Sequence, residues 1–311
     1  MNKNLKKIST VGMPYEEWLE HRRQSIGGSD ASAILGMNTY CSPYTVWAEK
    51  LGKLPPKEDN EAMRLGRDLE DYVAKRFTEE TEKKVRKDNN IIINPDFPFA
   101  HANVDRMVIG EDAGLECKTT SCMNLKRFKN GEYPENYYCQ AMHYLMVTGA
   151  ARWYLAVLIL GIGFKVFTIE RDEEEIKALA KSEEAFWEYV KNNTPPETDG
   201  SDSTSATLAT MYPESNGNTV NLFAYEDSLK QYIAIGKQID ELKKLKDEMA
   251  NNVKAFMGEA GKGESNKFKV SWSSYLRTTF DHKKFASDNP NLDLTQYYKS
   301  SNTRTFKVTE I

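Results

Sequence analysis

The stretch of sequence that decides the fold is His101–Lys118, HANVDRMVIGEDAGLECK. Gly110-Glu111 suits the two-residue turn of a β-hairpin, and the flanking residues suit its two strands. In the register set by that turn, Asp105 lies directly opposite Glu116. Directly opposite Cβ atoms in a hairpin are about 4.5 to 5.5 Å apart. The segment therefore predicts two neighbouring carboxylates on a pair of strands.

Lys118 follows Glu116 by two residues, so both side chains project from the same face of the strand whatever the register. Two close carboxylates repel each other unless a cation lies between them, and their oxygen atoms suit Mg²⁺ or Mn²⁺. Such an ion can polarise a phosphoryl oxygen, and the adjacent lysine can orient water or stabilise developing charge. The pattern indicates metal-assisted phosphodiester hydrolysis. The alternative is an exposed hairpin with Asp, Glu and Lys on its wet face.

The segments around the hairpin predict a mixed α/β fold with a central mixed sheet flanked by helices. Helices are predicted over 15–24, 43–51, 59–80, 136–148 and 172–192, and strands near 84 and 91 and over 99–109, 114–120, 153–160 and 164–170. Gly27-Gly28 predicts a tight turn before a short helix, which Ser29 or Asp30 can cap and Gly36 can end.

A change of composition divides the chain after about residue 195. Pro195-Pro196 and the Asp/Ser/Thr-rich run that follows predict a linker. We therefore expect a core over 1–195 and a C-terminal extension over 206–311.

The extension is predicted to contain one long helix, 226–257, and two strand-like segments, Lys267–Trp272 and Arg304–Val308. From Tyr232 to Phe256 the apolar residues of the helix follow alternating steps of three and four, with Lys246 as the one break. This spacing predicts a packing face for another helix or a neighbouring subunit.

The composition excludes several classes of protein. Of 311 residues, 40% are hydrophobic and 28% are charged, which is too apolar and too balanced in charge for a disordered chain. No apolar run approaches the roughly 20 residues of a membrane helix, and the basic, polar N-terminus does not resemble a secretory signal. Four cysteines are too few for a disulfide scaffold, so we expect reduced thiols and a cytoplasmic protein.

The net charge of −4 does not by itself indicate nucleic-acid binding. The segment Cys117–Asn130, however, has no acidic residue and directly follows the carboxylate motif. It carries the four cations Lys118, Lys126, Arg127 and Lys129. This segment is either a solvated loop or a local basic patch.

Four motifs together resemble the YqaJ-type phage recombinases, which are relatives of lambda exonuclease within the PD-(D/E)xK nuclease superfamily. The motifs, in chain order, are Arg22 followed by Ile-Gly-Gly-Ser29-Asp, then Gly66-Arg-Asp-Leu-Glu70, then Asp105 with Glu116 and Lys118, then Tyr138-Cys-Gln140-Ala-Met-His-Tyr. They span about residues 15 to 155. The sequence departs from the superfamily name at Val104, where that name has proline.

The resemblance implies a restriction-endonuclease-like core and a role for each motif. Asp105, Glu116 and Glu70, with the backbone carbonyl of Cys117, would hold the metal. Lys118 would be the catalytic lysine, with Gln140 beside it. Arg22 and Ser29 would bind a 5′-phosphate, and the arginine fork and a helix-start N–H suit that anion. The alternatives are an exposed helix cation at Arg22, a plain salt bridge at Glu70 and a surface amide at Gln140.

Other residues that attract attention are given structural roles. The spacing of Cys41, Cys117, Cys122 and Cys139 fits no metal or iron–sulfur pattern. His101 and His143 lie nearer the motif, but a single histidine is more often a hydrogen-bonded structural group.

The function expected from the resemblance is a Mg²⁺-dependent 5′-to-3′ exonuclease on double-stranded DNA, with Mn²⁺ as a substitute. It would leave 3′ single strands for a phage annealing protein, in a bacterial host cell. The resemblance also implies a homo-oligomer, with a ring-shaped trimer as a candidate form. The competing hypotheses are a catalytically inactive DNA-end-binding scaffold and a PD-(D/E)xK endonuclease.

Overall fold

The computed structural model describes residues 4–290, 292–300 and 302–311. Within these residues the chain forms nine α-helices and ten β-strands, in two compact units that meet between Tyr212 and Pro213. The helices are α1 Tyr15–Arg23, α2 Gly28–Ile34, α3 Pro43–Lys50, α4 Glu61–Thr81, α5 Glu135–Thr148, α6 Glu173–Lys191, α7 Asp202–Met211, α8 Glu226–Met257 and α9 His282–Asp288. The strands are β1 Lys6–Ser9, β2 Val85–Lys87, β3 Asn90–Ile93, β4 His101–Asn103, β5 Arg106–Val108, β6 Ala113–Thr120, β7 Arg152–Ile159, β8 Gly163–Glu170, β9 Lys262–Glu264 and β10 Lys269–Ser271.

The first unit is built on a five-stranded sheet in the order β2-β5-β6-β7-β8. Strands β6 and β7 pair in parallel over eight residues each, and the remaining pairs are antiparallel. A parallel pair requires a crossover connection, which here contains α5. The prediction of a central mixed sheet flanked by helices is confirmed.

Helices cover the two faces of this sheet. On one face Val73 and Phe77 of α4 pack against Leu115 and Tyr154. On the other face α5 packs against the alternate residues of β7, beginning with the fully buried Trp153. Because successive side chains of a strand point to opposite faces, the side chains of β6 alternate between the face covered by α4 and the face covered by α5.

The predicted hairpin has the expected register, because Arg106 pairs with Leu115 and Met107 pairs with Gly114. The single strand predicted over 99–109 is wrong, however. The chain leaves β4, which pairs with β3 in a three-stranded sheet, and crosses at Val104-Asp105 into the five-stranded sheet. Alternating hydrophobicity does not distinguish one long strand from two short strands in different sheets.

The turn at Gly27 begins α2 as predicted, but with a different capping residue. Gly27 is the N-cap, and its N–H donates to Asp30 Oδ2 at 2.9 Å from the third helical position. Ser29 is therefore free of a capping role and remains exposed. Gly36, with φ of +70°, follows the helix in the left-handed conformation that favours glycine.

The unit boundary follows α7, whose Leu208 and Met211 pack against the core of the first unit. Thr207 and Ser203 of this helix also hydrogen bond to Thr45 of α3, both at 2.8 Å. The predicted start of the extension, residue 206, falls inside this helix.

The second unit contains the predicted long helix, now α8, and a hairpin of β9 and β10. The predicted strand Lys267–Trp272 contains β10, whereas Arg304–Val308 is not a strand. Phe306 from that segment instead packs edge to face against Tyr232, with ring centroids 5.5 Å apart. Among the described residues, no helix combines the length and apolar character that crossing a bilayer requires.

Candidate active site

A hydrogen-bonded cluster joins β6 to α5 through three predicted site residues. Lys118 Nζ donates to Glu116 Oε1 at 2.5 Å and to Gln140 Oε1 at 2.9 Å. Gln140 Nε2 donates to the same Glu116 oxygen at 2.8 Å. The triangle forms because Glu116 and Lys118 share a face of β6 and α5 crosses that face. Gln140 is therefore a buried partner of the pair, and the alternative of a surface amide is wrong.

Asp105 lies beside this cluster at the crossing between the two sheets. Its Oδ2 accepts the N–H of Cys117 at 2.7 Å, so the carboxylate takes the place of a backbone carbonyl at the end of the β5–β6 ladder. Burial raises the pKa of Asp105 well above its usual value, and the nearby charges of Glu116 and Glu70 raise it further. The raised pKa of Asp105 thus reflects burial first and the neighbouring carboxylates second.

Glu70 approaches Asp105 from α4, but its carboxylate is paired with the buried guanidinium of Arg106. The same guanidinium also pairs with Asp71 and donates to the backbone carbonyl of Asp105. Glu70 and Asp105 border one cavity of about 310 Å³. Arg106 thus neutralises the α4 side of the site.

Asp105 and Glu116 are suited to a hard divalent cation, whereas Glu70 as placed is not. Glu116 Oε2 is buried and accepts no hydrogen bond from the described residues, and Asp105 lies close enough to repel it. A cation between these two carboxylates would relieve both penalties. As arranged, no three His, Cys, Asp or Glu side chains in the described parts of the chain converge to hold a metal. Glu70 would have to leave Arg106 to join them.

Lys118 is held in its charged form by this arrangement. Burial disfavours the ammonium, but Glu116 and Asp105 outweigh that effect and raise the pKa of Lys118. The ammonium also lies 5.3 Å from the ring centroid of Tyr137. A fixed positive charge beside two carboxylates is suited to stabilising negative charge that develops on a phosphate.

A second cluster forms where α1, α2 and α3 meet. Arg22 Nη2 donates to Ser29 Oγ at 3.0 Å, as the proposed pairing of these residues requires. Lys50 Nζ donates to the Arg22 carbonyl at 2.7 Å and lies 2.6 Å from Asp30 Oδ2. Burial opposes the charged form of Asp30, yet Lys50 and Arg22 together hold its pKa well below the usual value.

Charge and shape make this second cluster suitable for an anion. The cations Arg22, Lys50 and Lys57 outnumber the carboxylates Asp30 and Glu49 here, which leaves a net positive charge beside the exposed hydroxyl of Ser29. Arg22 also stacks over the Trp18 ring, 5.0 Å from its centroid, which fixes the direction of its fork. These residues border a cavity of about 430 Å³. Arg22 is therefore more than an exposed helix cation.

Tyr144 lies between the two clusters. Its hydroxyl accepts a hydrogen bond from Gln140 Nε2 at 2.8 Å, and its ring touches the start of α2. A Cβ at Gly28 would come within 2.6 Å of that ring, so only glycine allows α2 to approach α5 so closely. The anion cluster is therefore packed directly against the helix that carries Gln140.

His101, His143 and Cys117 lie apart from the Glu116–Lys118–Gln140 cluster in their side-chain contacts. Buried His143 bonds to Glu183 through Nδ1 and to the carbonyl of His101 through Nε2, both at 2.8 Å. His101 Nδ1 bonds to Ser25 Oγ at 2.8 Å. Cys117 packs on the α4 face of the sheet, away from Glu116 and Lys118.

Sequence reasoning missed Arg106, Lys50 and Tyr144 as parts of these clusters. Arg106 directly follows Asp105, but nothing local distinguishes it from an exposed strand cation. Lys50 and Tyr144 lie on helices whose partners are remote in sequence. Their roles follow from packing between elements, for which a single sequence carries no signal.

Comparison with known proteins gives a consistent result. The model of the YqaJ-like viral recombinase domain family matches residues 17–151. A Bacillus subtilis (strain 168) protein called "Uncharacterized protein YqaJ" is 39% identical over 305 residues, covering 96% of this chain and 95% of that protein.

Two solved structures are also similar. The alkaline exonuclease of Laribacter hongkongensis has a TM-score of 0.47 at 19% identity, over 58% of this chain and 94% of that one. A phage-related exonuclease from Haemophilus somnus 129PT has a TM-score of 0.41 at 12% identity, over 54% and 96% of the respective chains. The family assignment rests on the B. subtilis protein, because its alignment covers nearly the whole of that protein and of this chain.

Proposed function

The chain belongs to the YqaJ-like viral recombinase family, and from that premise we propose that it is a Mg²⁺-dependent 5′-to-3′ exonuclease on double-stranded DNA. It leaves 3′ single strands for recombination by annealing. The observation that carries the proposal is the Glu116–Lys118–Gln140 triangle with Asp105 beside it and an unpartnered Glu116 oxygen. A scaffold without chemistry has no use for two buried carboxylates whose charge a single lysine offsets only in part.

In this proposal Asp105 and Glu116 hold the ion, with Glu70 and the Cys117 carbonyl completing its oxygen shell. When bound, Mg²⁺, or Mn²⁺ in its place, polarises the scissile phosphodiester. Lys118 orients the attacking water and stabilises charge on the phosphate. Gln140 fixes the position of the ammonium by accepting one of its hydrogen bonds.

Recognition of the DNA end is assigned to Arg22 and Ser29. A terminal phosphomonoester carries up to two negative charges, whereas each internal phosphate carries one, so a cationic fork with an adjacent hydroxyl favours a 5′-phosphorylated end. Lys126, Arg127 and Lys129 are exposed after β6 and are available to the duplex backbone. The proposed setting is a bacterial host cell, with a phage annealing protein as partner and a homo-oligomer as the working form.

The decisive experiment compares linear duplexes with 5′-phosphate or 5′-hydroxyl ends, in Mg²⁺ or EDTA, with a covalently closed plasmid as a third substrate. The proposal expects Mg²⁺-dependent release of nucleotides from linear DNA, faster from phosphorylated ends, and an intact plasmid. The Asp105→Ala and Glu116→Ala variants should bind duplex ends and release nothing.

The two competing hypotheses give different results. Cleavage of the closed plasmid would indicate an endonuclease. If the wild-type protein binds DNA ends in Mg²⁺ but releases no nucleotides, it is an inactive scaffold. If both the Asp105→Ala and Glu116→Ala variants digest DNA at the wild-type rate, these two residues are not part of the catalytic site.

A further inference from the structure

The second unit presents an apolar stripe along α8, which contains none of the residues proposed for DNA hydrolysis. Its apolar residues lie three and four positions apart over more than three heptads and are all substantially exposed, including Leu242 at 64%, Met249 at 67% and Phe256 at 93%. The whole stripe comprises Tyr232, Ile235, Ile239, Leu242, Met249, Val253 and Phe256. We propose that α8 pairs with α8 of a second copy of this chain in an antiparallel coiled coil.

Helix α8 has the distribution of charge that such a pair requires. The positions that flank the stripe are largely small or uncharged, as at Gln231, Gln238, Ala250 and Asn252. The opposite side of the helix carries charged residues, such as Lys237 and Lys244. A helix whose charged side and apolar side are separated in this way buries the apolar side against a partner.

The exposed area is large enough for a stable interface. The stripe exposes on the order of 900 Å² on each helix, comparable with the roughly 800 Å² that each partner contributes to a standard protein interface. Within the described part of the second unit no residue is buried, so the unit supplies little cover of its own. Phe306 touches the stripe at Tyr232.

The stripe is complementary to itself when the second helix runs in the opposite direction. In an antiparallel coiled coil each a position of one helix faces a d position of the other. The apolar stripe of α8 therefore lines up with the stripe of a second, reversed copy. The facing pairs are Tyr232 with Phe256, Ile235 with Val253, Ile239 with Met249, and Leu242 with Lys246. Three of the four kinds of pair are wholly apolar.

Lys246, the one polar residue in the stripe, selects this direction over the parallel one. A parallel pair in register would place both Lys246 side chains in the same layer, where like charges repel. The antiparallel pair places each Lys246 stem on Leu242 of the other helix, and its ammonium reaches water at the edge. Antiparallel helices also oppose their dipoles.

The first test measures the mass of the full-length protein in the absence of DNA by sedimentation equilibrium. Ile239→Glu should weaken self-association by about a hundredfold, because it buries a charge opposite the apolar Met249 of the other helix. It should halve the mass of whatever assembly the wild type forms. Asn251→Glu adds the same residue on the charged side of α8 and should leave the mass unchanged. Lys246→Ile should tighten association by about tenfold.

The second test fixes the direction of pairing without weakening the interface. Two full-length proteins of different tag mass, one with Leu242→Cys and one with Lys246→Cys, are mixed and oxidised. Both carry Cys122→Ser, because Cys122 is an exposed native thiol. An antiparallel pair gives mainly the mixed disulfide between the two proteins.

Three results would overturn the proposal. One is equal mass for wild type and Ile239→Glu, as expected if the stripe packs on its own chain. Another is a wild-type monomer at micromolar concentration, as expected if the stripe is reserved for a different protein. The third is a predominance of the two unmixed disulfides, which indicates parallel pairing. All these readouts are independent of DNA hydrolysis.

Discussion

Gln140 shows how one residue can determine the geometry of a site without carrying its chemistry. Its amide accepts from Lys118 and donates to Glu116 and Tyr144, so it fixes the charged pair of β6 relative to α5. An amide is suited to this position because it offers both a donor and an acceptor. Without it the lysine would have Glu116 as its hydrogen-bond partner in this cluster, and its position would be less defined.

The variant Lys118→Ala tests the role of the lysine. We expect loss of most of the hydrolytic rate with retention of Mn²⁺ binding, because the ammonium acts on water and developing charge and is not a ligand. Nucleotide release gives the rate, and calorimetry gives the binding. Lys181→Ala removes an exposed cation of α6 that has no role in the proposal and is the control. Loss of Mn²⁺ binding in a folded Lys118→Ala protein would contradict this role.

The variant Arg22→Ala tests end recognition. Loss of a charge-assisted hydrogen bond, worth about 1.5 to 3 kcal/mol, should slow digestion of 5′-phosphorylated ends roughly ten- to a hundredfold at limiting substrate. Digestion of 5′-hydroxyl ends should change much less. Arg23 is a matched control, because it lies about 100° further round α1 and pairs with Glu20. A larger defect in Arg23→Ala, or equal wild-type rates on both ends, would refute the assignment.

At the scale of elements, one buried ion pair joins three helices. Lys50 of α3 donates to the backbone carbonyl of Arg22 near the end of α1 and forms an ion pair with Asp30 of α2. Breaking a buried pair leaves an uncompensated charge, which costs about 3 to 5 kcal/mol. The position of Arg22 relative to Ser29 therefore depends on a lysine outside both helices.

The pH dependence of stability tests this ion pair. Lys50 and Arg22 depress the pKa of Asp30 in the folded state, so its contribution is present above the unfolded pKa near 3.9 and is lost as pH falls towards the folded value. Asp30→Asn should therefore destabilise the protein at pH 7, and the difference from wild type should narrow by about 1 kcal/mol at pH 3.

Urea unfolding at the two pH values measures this difference. Asp68→Asn, which removes an exposed carboxylate of α4, is the control and should show a small, pH-independent effect. If the loss of unfolding free energy in Asp30→Asn, relative to wild type, instead stays constant or grows as the pH falls, Asp30 does not have a depressed pKa in the folded protein.

At the scale of the whole molecule, the two units differ in how they are stabilised. In the part of the chain that the structure describes, the buried residues lie before Pro213, where two helix layers cover the central sheet. The second unit keeps its apolar residues at the surface, so its stability depends on what α8 contacts. A 32-residue helix with an exposed stripe gains most of its stability from packing rather than from intrinsic propensity.

Limited digestion with chymotrypsin tests this division. The exposed aromatic residues Tyr212, Phe223 and Tyr225 flank the unit boundary, so the first cuts should fall there. The larger fragment should keep a cooperative thermal transition, because it retains the core. Exposed Tyr40 is a competing site within the first unit, and the backbone N–H of nearby Ser42 donates to Ser203 Oγ. A first cut at Tyr40, or a fragment that melts without cooperativity, would contradict the division.

The sequence by itself determined most of the helices and sheet strands before residue 195, the hairpin register and the carboxylate–lysine motif. These features depend on periodicity and on spacing along one strand, which are local properties. The tertiary structure alone decided that Val104-Asp105 crosses between two sheets, that Arg106 binds Glu70 and that Lys50 joins the helices around Arg22. Each of these depends on contacts between segments far apart in the chain. Such contacts are selected by the packing of whole elements, so the motifs show which residues matter but not which partners they have.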